Sequence, residues 1–233
     1  MGGRARAQQG ARADFSSLAL VTLSLLVFAC MAQGIGELGY TTKVSERLMD
    51  NYSQRFRSPQ ARARLESWKR YAAERKGRGW RELELLGAVN QLLNRVPFVE
   101  DQKHWGAEDY WSTPAEAIAS NGADCEDYSL AKYFLLKELG VPVSRLRLVY
   151  VKAVKLNQAH MVVAYYSAPT AEPLVLDNLE DSVRPASQRS DLIPVYSFND
   201  EEVWIEARGR VGSPRQIRNW SSLLERLEAE ARI

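Results

Sequence analysis

Apolar residues recur at the three-to-four spacing of a helix through the first half of the chain and at every second position through much of the second half. Residues 37–97 predict a helical part with three stripes. They are Val44, Leu48 and Tyr52, then Leu65, Trp68 and Tyr71 or Ala72, then Leu83, Leu85, Leu86, Val89, Leu92 and Leu93, stopping at Pro97. Thr113-Pro114-Ala115-Glu116 reads as a short helix start, with Thr113 as N-cap, Pro114 at the first helical position and Glu116 at the third. A longer helix follows Asp124, where Ala131, Phe134, Leu135 and Leu139 mark one amphipathic face and Gly140 and Pro142 stop it. Strands are expected at 146–154, 160–166 and 174–176. The turn-like links near Asn157 and at 167–173 make them antiparallel neighbours. Residues 195–198 and 203–205 read as further strands, and 222–232 as a terminal helix with Ser222 and Glu225 as a capping box. Helices followed by antiparallel strands give an α+β fold.

At 233 residues and 45% hydrophobic composition the chain can bury a full core. The expected organisation is one domain at 37–233, with a helical part at 37–97, a catalytic core at 98–206 and a C-terminal helix within 207–233. Ahead of it, 15–36 carries no charge and 18–29 is apolar, behind an n-region holding Arg4, Arg6 and Arg12. This is the pattern of a secretory signal over 1–32, cleaved after Ala32, and it predicts export. An uncleaved membrane anchor and lipid attachment at Cys30 are the alternatives. The three arginines against Asp14 account for the formal charge of +2, so the remainder is near neutral and offers no electrostatic case for nucleic acid. The arginines and lysines crowding 55–81 alternate with glutamates and read as a solvated helix face.

Removing the leader leaves Cys125 as the lone cysteine, in Asn121-Gly122-Ala123-Asp124-Cys125-Glu126-Asp127-Tyr128. Cys125 falls at a helix N-terminus, with Asp124 as N-cap and Asp127 near the capping-box position, and the helix dipole favours a thiolate there. A cysteine nucleophile needs an imidazole and a group to orient it. Of the two histidines, His160 opens a strand, whereas His104 sits in an aromatic, acidic loop with Asp101, Trp105 and Asp109 and suits a surface or supporting role. Asp177 ends the next strand, where an imidazole and a carboxylate can meet across paired strands. Each residue has a plain alternative: a buried small side chain, a hydrogen-bonded core imidazole, a turn residue. The three in this order favour catalysis.

Asp124, Glu126 and Asp127 are like charges to a thiolate and would raise its pKa. A divalent cation reverses the local sign, and clustered carboxylates suit calcium. Asp124, Glu126 and Asp127 are therefore its expected ligands. A non-catalytic protein using the same acids to hold a structural cation is the competing class.

The blocks Asp109-Tyr110-Trp111-Ser112-Thr113-Pro114, Gly122-Ala123-Asp124-Cys125-Glu126-Asp127-Tyr128, Ala159-His160-Met161-Val162-Val163, Glu172-Pro173-Leu174-Val175-Leu176-Asp177-Asn178-Leu179 and Pro194-Val195-Tyr196-Ser197-Phe198-Asn199 follow one another over roughly 96–206. In them the sequence resembles the bacterial transglutaminase-like cysteine proteinases, and among those the LapG-type periplasmic proteases. Ala123 departs from the pattern, standing where a second glycine is expected. The resemblance implies a papain-like or transglutaminase-like core, Cys125 as nucleophile, His160 as general base and acid, Asp177 as orienting group, and calcium at the acidic cluster. It further implies a periplasmic protease that cuts the N-terminal region of a large surface adhesin beside a pair of alanines, releasing the cell from a biofilm. Its implied inhibitor is the periplasmic domain of an inner-membrane cyclic-di-GMP receptor. A transglutaminase-type acyl transferase would use the same triad, with an amine replacing water.

Overall fold

The computed structural model describes residues 44–205 and 208–233. The expected leader at 1–32 and the segment up to 43 lie outside the described residues. The described residues open with three helices: α1 (Glu46–Arg55), α2 (Pro59–Arg75) and α3 (Glu82–Leu93). Ser45 caps α1, its hydroxyl accepting from the Leu48 N–H at 2.9 Å. The expected stripes are the buried ones, except that Leu83 points outward at 62% exposure, which narrows the stripe of α3. Its helix also ends at Leu93, short of Pro97. The basic face is only partly solvated. Arg62 does pair with exposed Glu46, Asp50 and Glu66. Arg55, however, reaches buried Glu116 at 2.8 Å, and Arg64 donates to the Ile118 and Ala119 carbonyls. These arginines fasten α1 and α2 to the helix that precedes the cysteine turn, a role that charge alternation along the sequence does not reveal.

A short α4 (Asp101–His104) leads to α5 (Pro114–Ser120). The Thr113–Glu116 box forms as expected: Thr113 Oγ1 accepts from the Glu116 N–H and Glu116 Oε2 from the Thr113 N–H, both at 3.0 Å. Asn121, at φ 61°, takes the left-handed conformation that ends α5. Then comes α6 (Cys125–Glu138), stopped by Leu139 and by Gly140 at φ 98°. This helix is not the amphipathic element its spacing predicts. It is buried without a break from Asp127 to Leu136, because it lies between the sheet and the helices α3 and α5.

The sheet has seven antiparallel strands, β1 (Leu146–Ala153), β2 (Gln158–Tyr165), β3 (Leu174–Leu176), β4 (Arg184–Pro185), β5 (Leu192–Phe198), β6 (Val203–Ile205) and β7 (Gly209–Gly212). Their spatial order is β4-β3-β2-β1-β5-β6-β7. Strands β1, β2 and β3 are neighbours, as the turns predict, with Val163 opposite Leu176 and Ala164 opposite Val175. The two edge strands escape sequence reading, since β4 contains a proline and β7 begins and ends on glycine. Met161, Val163 and Leu176 pack with Leu130 and Phe134 of α6 in the main core. Val151, Val162, Ala164 and Val175 form a second cluster.

The terminal helix α7 (Arg218–Ala231) starts upstream of the expected Ser222. Trp220 is wholly buried, stacked on Phe134 at 5.7 Å and edge-on to Phe198. That burial fixes the first turn, and Ser222 sits inside the helix, its carbonyl accepting from Arg226. The Ser222–Glu225 capping box therefore does not exist. No helix among the described residues is long and apolar enough to cross a membrane.

Candidate active site

Cys125 opens α6, so its N–H lies in the first turn, where helix geometry provides no intrahelical acceptor. The turn ahead of it is tight. A Cβ on Gly122 would lie 2.6 to 2.9 Å from the ring atoms of His104, whose Nε2 is 2.8 Å from Ser120 Oγ. His104 thus has the supporting role, propping the backbone that leads to the cysteine. Ala123 fits without strain. It is buried, pairs with Phe98 in an isolated parallel bridge, and exchanges hydrogen bonds with Pro97 and Val99.

Helix α6 is tied to β2 at the cysteine end. The Ser129 hydroxyl lies 3.0 Å from the Cys125 carbonyl and 2.8 Å from the Met161 carbonyl. The Met161 backbone acts to lower the Cys125 thiol pKa, against the larger effects that raise it. The residue before Met161 is His160, buried like Asp177, and its Nε2 lies 2.7 Å from Asp177 Oδ1. With Nε2 engaged, Nδ1 is the nitrogen left for proton traffic. Cys125 and His160 line one cleft of about 640 Å³, walled by Trp111, Tyr150 and Tyr196, with Arg218 and Asn219 at its rim. Tyr150 and Tyr196 stack at 5.2 Å.

Asp177 is held by more than the imidazole. Burial alone would raise its carboxyl, but His160, the Leu179 N–H and Arg189 outweigh that and hold it down to about 2. Lys132 of α6 is wholly buried, its Nζ without a hydrogen bond and 5.8 Å from the centre of the Tyr128 ring. Desolvation lowers its ammonium to about 7 despite the opposing charges of Asp177 and Asp181.

The acids around Cys125 do not cap the helix. Asp124 occupies the N-cap position without a side-chain capping bond. Asp127 instead accepts from the Ser112 N–H at 2.7 Å, a partner fifteen positions away. What they do is converge: oxygens of Asp101, Asp124 and Asp127 lie within 4.8 Å of one another, as do those of Asp101, Asp109 and Glu126. Asp101 Oδ1, Asp124 Oδ1 and Asp127 Oδ2 are buried with no hydrogen-bond partner. Burial, then mutual repulsion, raises the Asp124 carboxyl to about 9 and drives Asp127 well above its ordinary value. Burial likewise lifts Glu126 to about 7. Three converging carboxylates, each with an orphaned oxygen, are a donor set that suits a hard cation. The Cys125 thiol donates to Glu126 Oε2 at 2.9 Å, and burial followed by that carboxylate pushes its pKa up.

The structure places Cys125 and His160 in one cleft, pairs His160 with Asp177, and groups Asp124 with Asp127, whereas Glu126 falls with Asp101 and Asp109. Asp101 and Arg189 were missed. The sequence reads 98–114 as a loop, whereas Asp101 opens the four-residue α4, and Arg189 follows a short turn; neither belongs to a periodic stripe, and Asp124, Asp127 and Asp177 lie in other elements.

A helix N-terminus carrying a free cysteine, packed on an antiparallel sheet that presents a buried His–Asp pair, defines a thiol protease of transglutaminase-like architecture. The chain belongs to the bacterial transglutaminase-like cysteine proteinase family, BTLCP, whose model matches residues 56–210. Among solved structures it is similar to Legionella pneumophila LapG, at 35% identity and a TM-score of 0.66, covering 77% of this chain and 97% of that one. The EGTA-treated form of that protein gives 34% and 0.67, with the same coverage. Its calcium-bound form gives 35% and 0.65, over 77% of this chain and 98% of that one. No curated protein matches the chain. The LapG-type resemblance carried by the DCEDY and LDN blocks is borne out.

Proposed function

We propose that the protein is a calcium-dependent periplasmic cysteine endopeptidase that cuts the N-terminal region of a large surface adhesin, releasing it and dispersing a biofilm. The 2.7 Å His160–Asp177 pair, in the cleft that holds Cys125, carries the catalytic part of this reading. The Cys125 thiolate attacks the scissile carbonyl carbon, and the Cys125 N–H stabilises the oxyanion. His160, turned by Asp177 so that Nδ1 faces the reaction, takes the thiol proton of Cys125 as the sulfur attacks and passes it to the leaving amine as the C–N bond breaks. Water, deprotonated by the same imidazole, then hydrolyses the thioester.

Asp101, Asp124, Asp127 and Glu126 are the residues that would hold calcium, and the three orphaned oxygens support that assignment. Bound there, the ion supplies positive charge beside the sulfur and offsets the carboxylates. The calcium-bound form of the Legionella relative points the same way. Control by the periplasmic domain of a cyclic-di-GMP receptor belongs to the same reading and rests on family resemblance.

The test is incubation of the protein with an adhesin N-terminal fragment, with and without a calcium-selective chelator. Two shorter bands, absent for Cys125→Ala and His160→Ala and in chelator, are expected. Products larger than the fragment would make it an acyl transferase. Cleavage by Cys125→Ala would end the catalytic assignment, and full activity in chelator the calcium one.

A further inference from the structure

Asp177 has two carboxylate oxygens and three donors. Oδ1 faces His160 Nε2 and accepts from the Leu179 N–H at 3.1 Å, while Oδ2 accepts from Arg189 Nη2 at 2.6 Å. The side chain is fully buried, so bulk water cannot replace a missing donor. A carboxylate turns easily about its terminal torsion, whose well is broad. With Oδ2 unpaired, the plane of Asp177 would be poorly fixed, and with it the imidazole. The guanidinium removes that freedom because its donors are set in a rigid fork. Arg189 is itself fixed: Asp191 accepts from its Nε at 3.0 Å and from its Nη2 at 2.9 Å.

We propose that Arg189 is a positioning residue for the reaction: locked by Asp191, it fixes the plane of Asp177 and through it the ring of His160. The inference rests on Asp177 being the orienting group of the proposed mechanism. Asp191 does a second thing. An arginine paired with Asp177 alone would neutralise the carboxylate that must stabilise the imidazolium. Shared with Asp191, which is one-quarter exposed, the guanidinium orients Asp177 and leaves it negative charge to offer.

The experiment compares Arg189→Met, Arg189→Lys and Asp191→Asn in the full chain with calcium present. It measures kcat and KM on the adhesin fragment, together with the low-field proton resonance of the His160–Asp177 hydrogen bond. Arg189→Met should lose about 100-fold in kcat with KM unchanged, the signature of a misaligned reacting group, and its low-field resonance should shift or vanish. Arg189→Lys should recover part of both, since it keeps the charge but cannot span two carboxylates. Asp191→Asn should lose less than Arg189→Met. If Arg189→Met does not fold, the other two variants carry the test through the same readouts. Variants that fold, keep kcat within about twofold of the parent and retain the resonance overturn the proposal. Wild-type turnover by Asp177→Asn would instead overturn the mechanism beneath it.

Discussion

Glu230, near the end of α7, is 8% exposed and lies where α1, α5 and α7 meet. The hydroxyls of Tyr52 and Thr113 both donate to its Oε1. Burial raises its carboxyl to about 7. The two hydroxyls oppose the rise, the charge on Glu116 adds to it and Arg226 subtracts from it. The sign follows from proton linkage. Between the ordinary value of 4.5 and about 7 the folded state holds a proton that the unfolded chain has released, so stability is full below 4.5 and falls until about pH 7. The loss amounts to about 3 kcal/mol. In Glu230→Gln the amide carbonyl keeps both hydroxyl bonds and nothing titrates. At pH 8 the variant should be the more stable by about 3 kcal/mol, or roughly 6–12 °C in Tm for a domain of this size. Near pH 4 the two proteins should melt together. Thermal unfolding by circular dichroism from pH 4 to 8 reads the gap directly, and comparing variants cancels every other titrating group. A gap that does not change with pH, or a variant less stable at pH 8, would refute the assignment of the cost to charge.

Three further outcomes follow from the site. Calcium at 100 times its Kd should stabilise the protein by about 2.7 kcal/mol in a thermal shift, magnesium should do less, and Asp101→Asn should cut the calcium response as Asp124→Asn does. Gly122→Ala should cost about 1–3 kcal/mol by overpacking against the His104 ring. Adding His104→Ala should return much of that, measured as coupling in a double-mutant cycle. Asp177→Asn should retain the fold but lower kcat by a factor of about 10⁴, by analogy with the triad aspartate of serine proteases. Turnover within tenfold of the parent would move the orienting role elsewhere.

Where a signal is local, the sequence carries it. The Thr113–Glu116 box, the stop at Gly140 and the span of β3 are each decided by neighbours a few positions apart, and each is found where the pattern places it. The failures share one cause. Asp124 and Asp127 satisfy a capping pattern, but Asp127 accepts from Ser112 and Asp124 turns toward Asp101, because a buried carboxylate goes to the donor or cation that compensates its desolvation most. Ser222 and Glu225 satisfy the same pattern, and the burial of Trp220 overrides it by starting the helix earlier. Arg189 meets Asp177 only because β3 and the turn after β4 fold together, a juxtaposition to which neither segment alone gives any sign. The catalytic candidates escaped this problem, since the family's blocks preserve their order along the chain.

The acidic cluster is tied to the cleft by more than charge. Three consecutive residues are each bonded to one of its acids: the Tyr110 N–H to Asp101, the Trp111 indole to Asp109 at 2.9 Å, and the Ser112 N–H to Asp127 at 2.7 Å. Trp111 walls the cleft beside Cys125, and Ser112 leads directly into the cap of α5. These bonds leave Asp101 Oδ1 and Asp127 Oδ2 without a hydrogen-bond partner, on two of the carboxylates that converge with Asp124. A calcium ion held there, as proposed, would draw on the same carboxylates as the 110–112 segment. On the proposed calcium dependence, filling the site would fix the acids, and through their hydrogen bonds the backbone of 110–112 and the Trp111 wall of the cleft. Chelation should then lower kcat, through the charge beside the thiol, and raise KM, through the position of Trp111. A site that only neutralised its surroundings would change the first and leave the second alone.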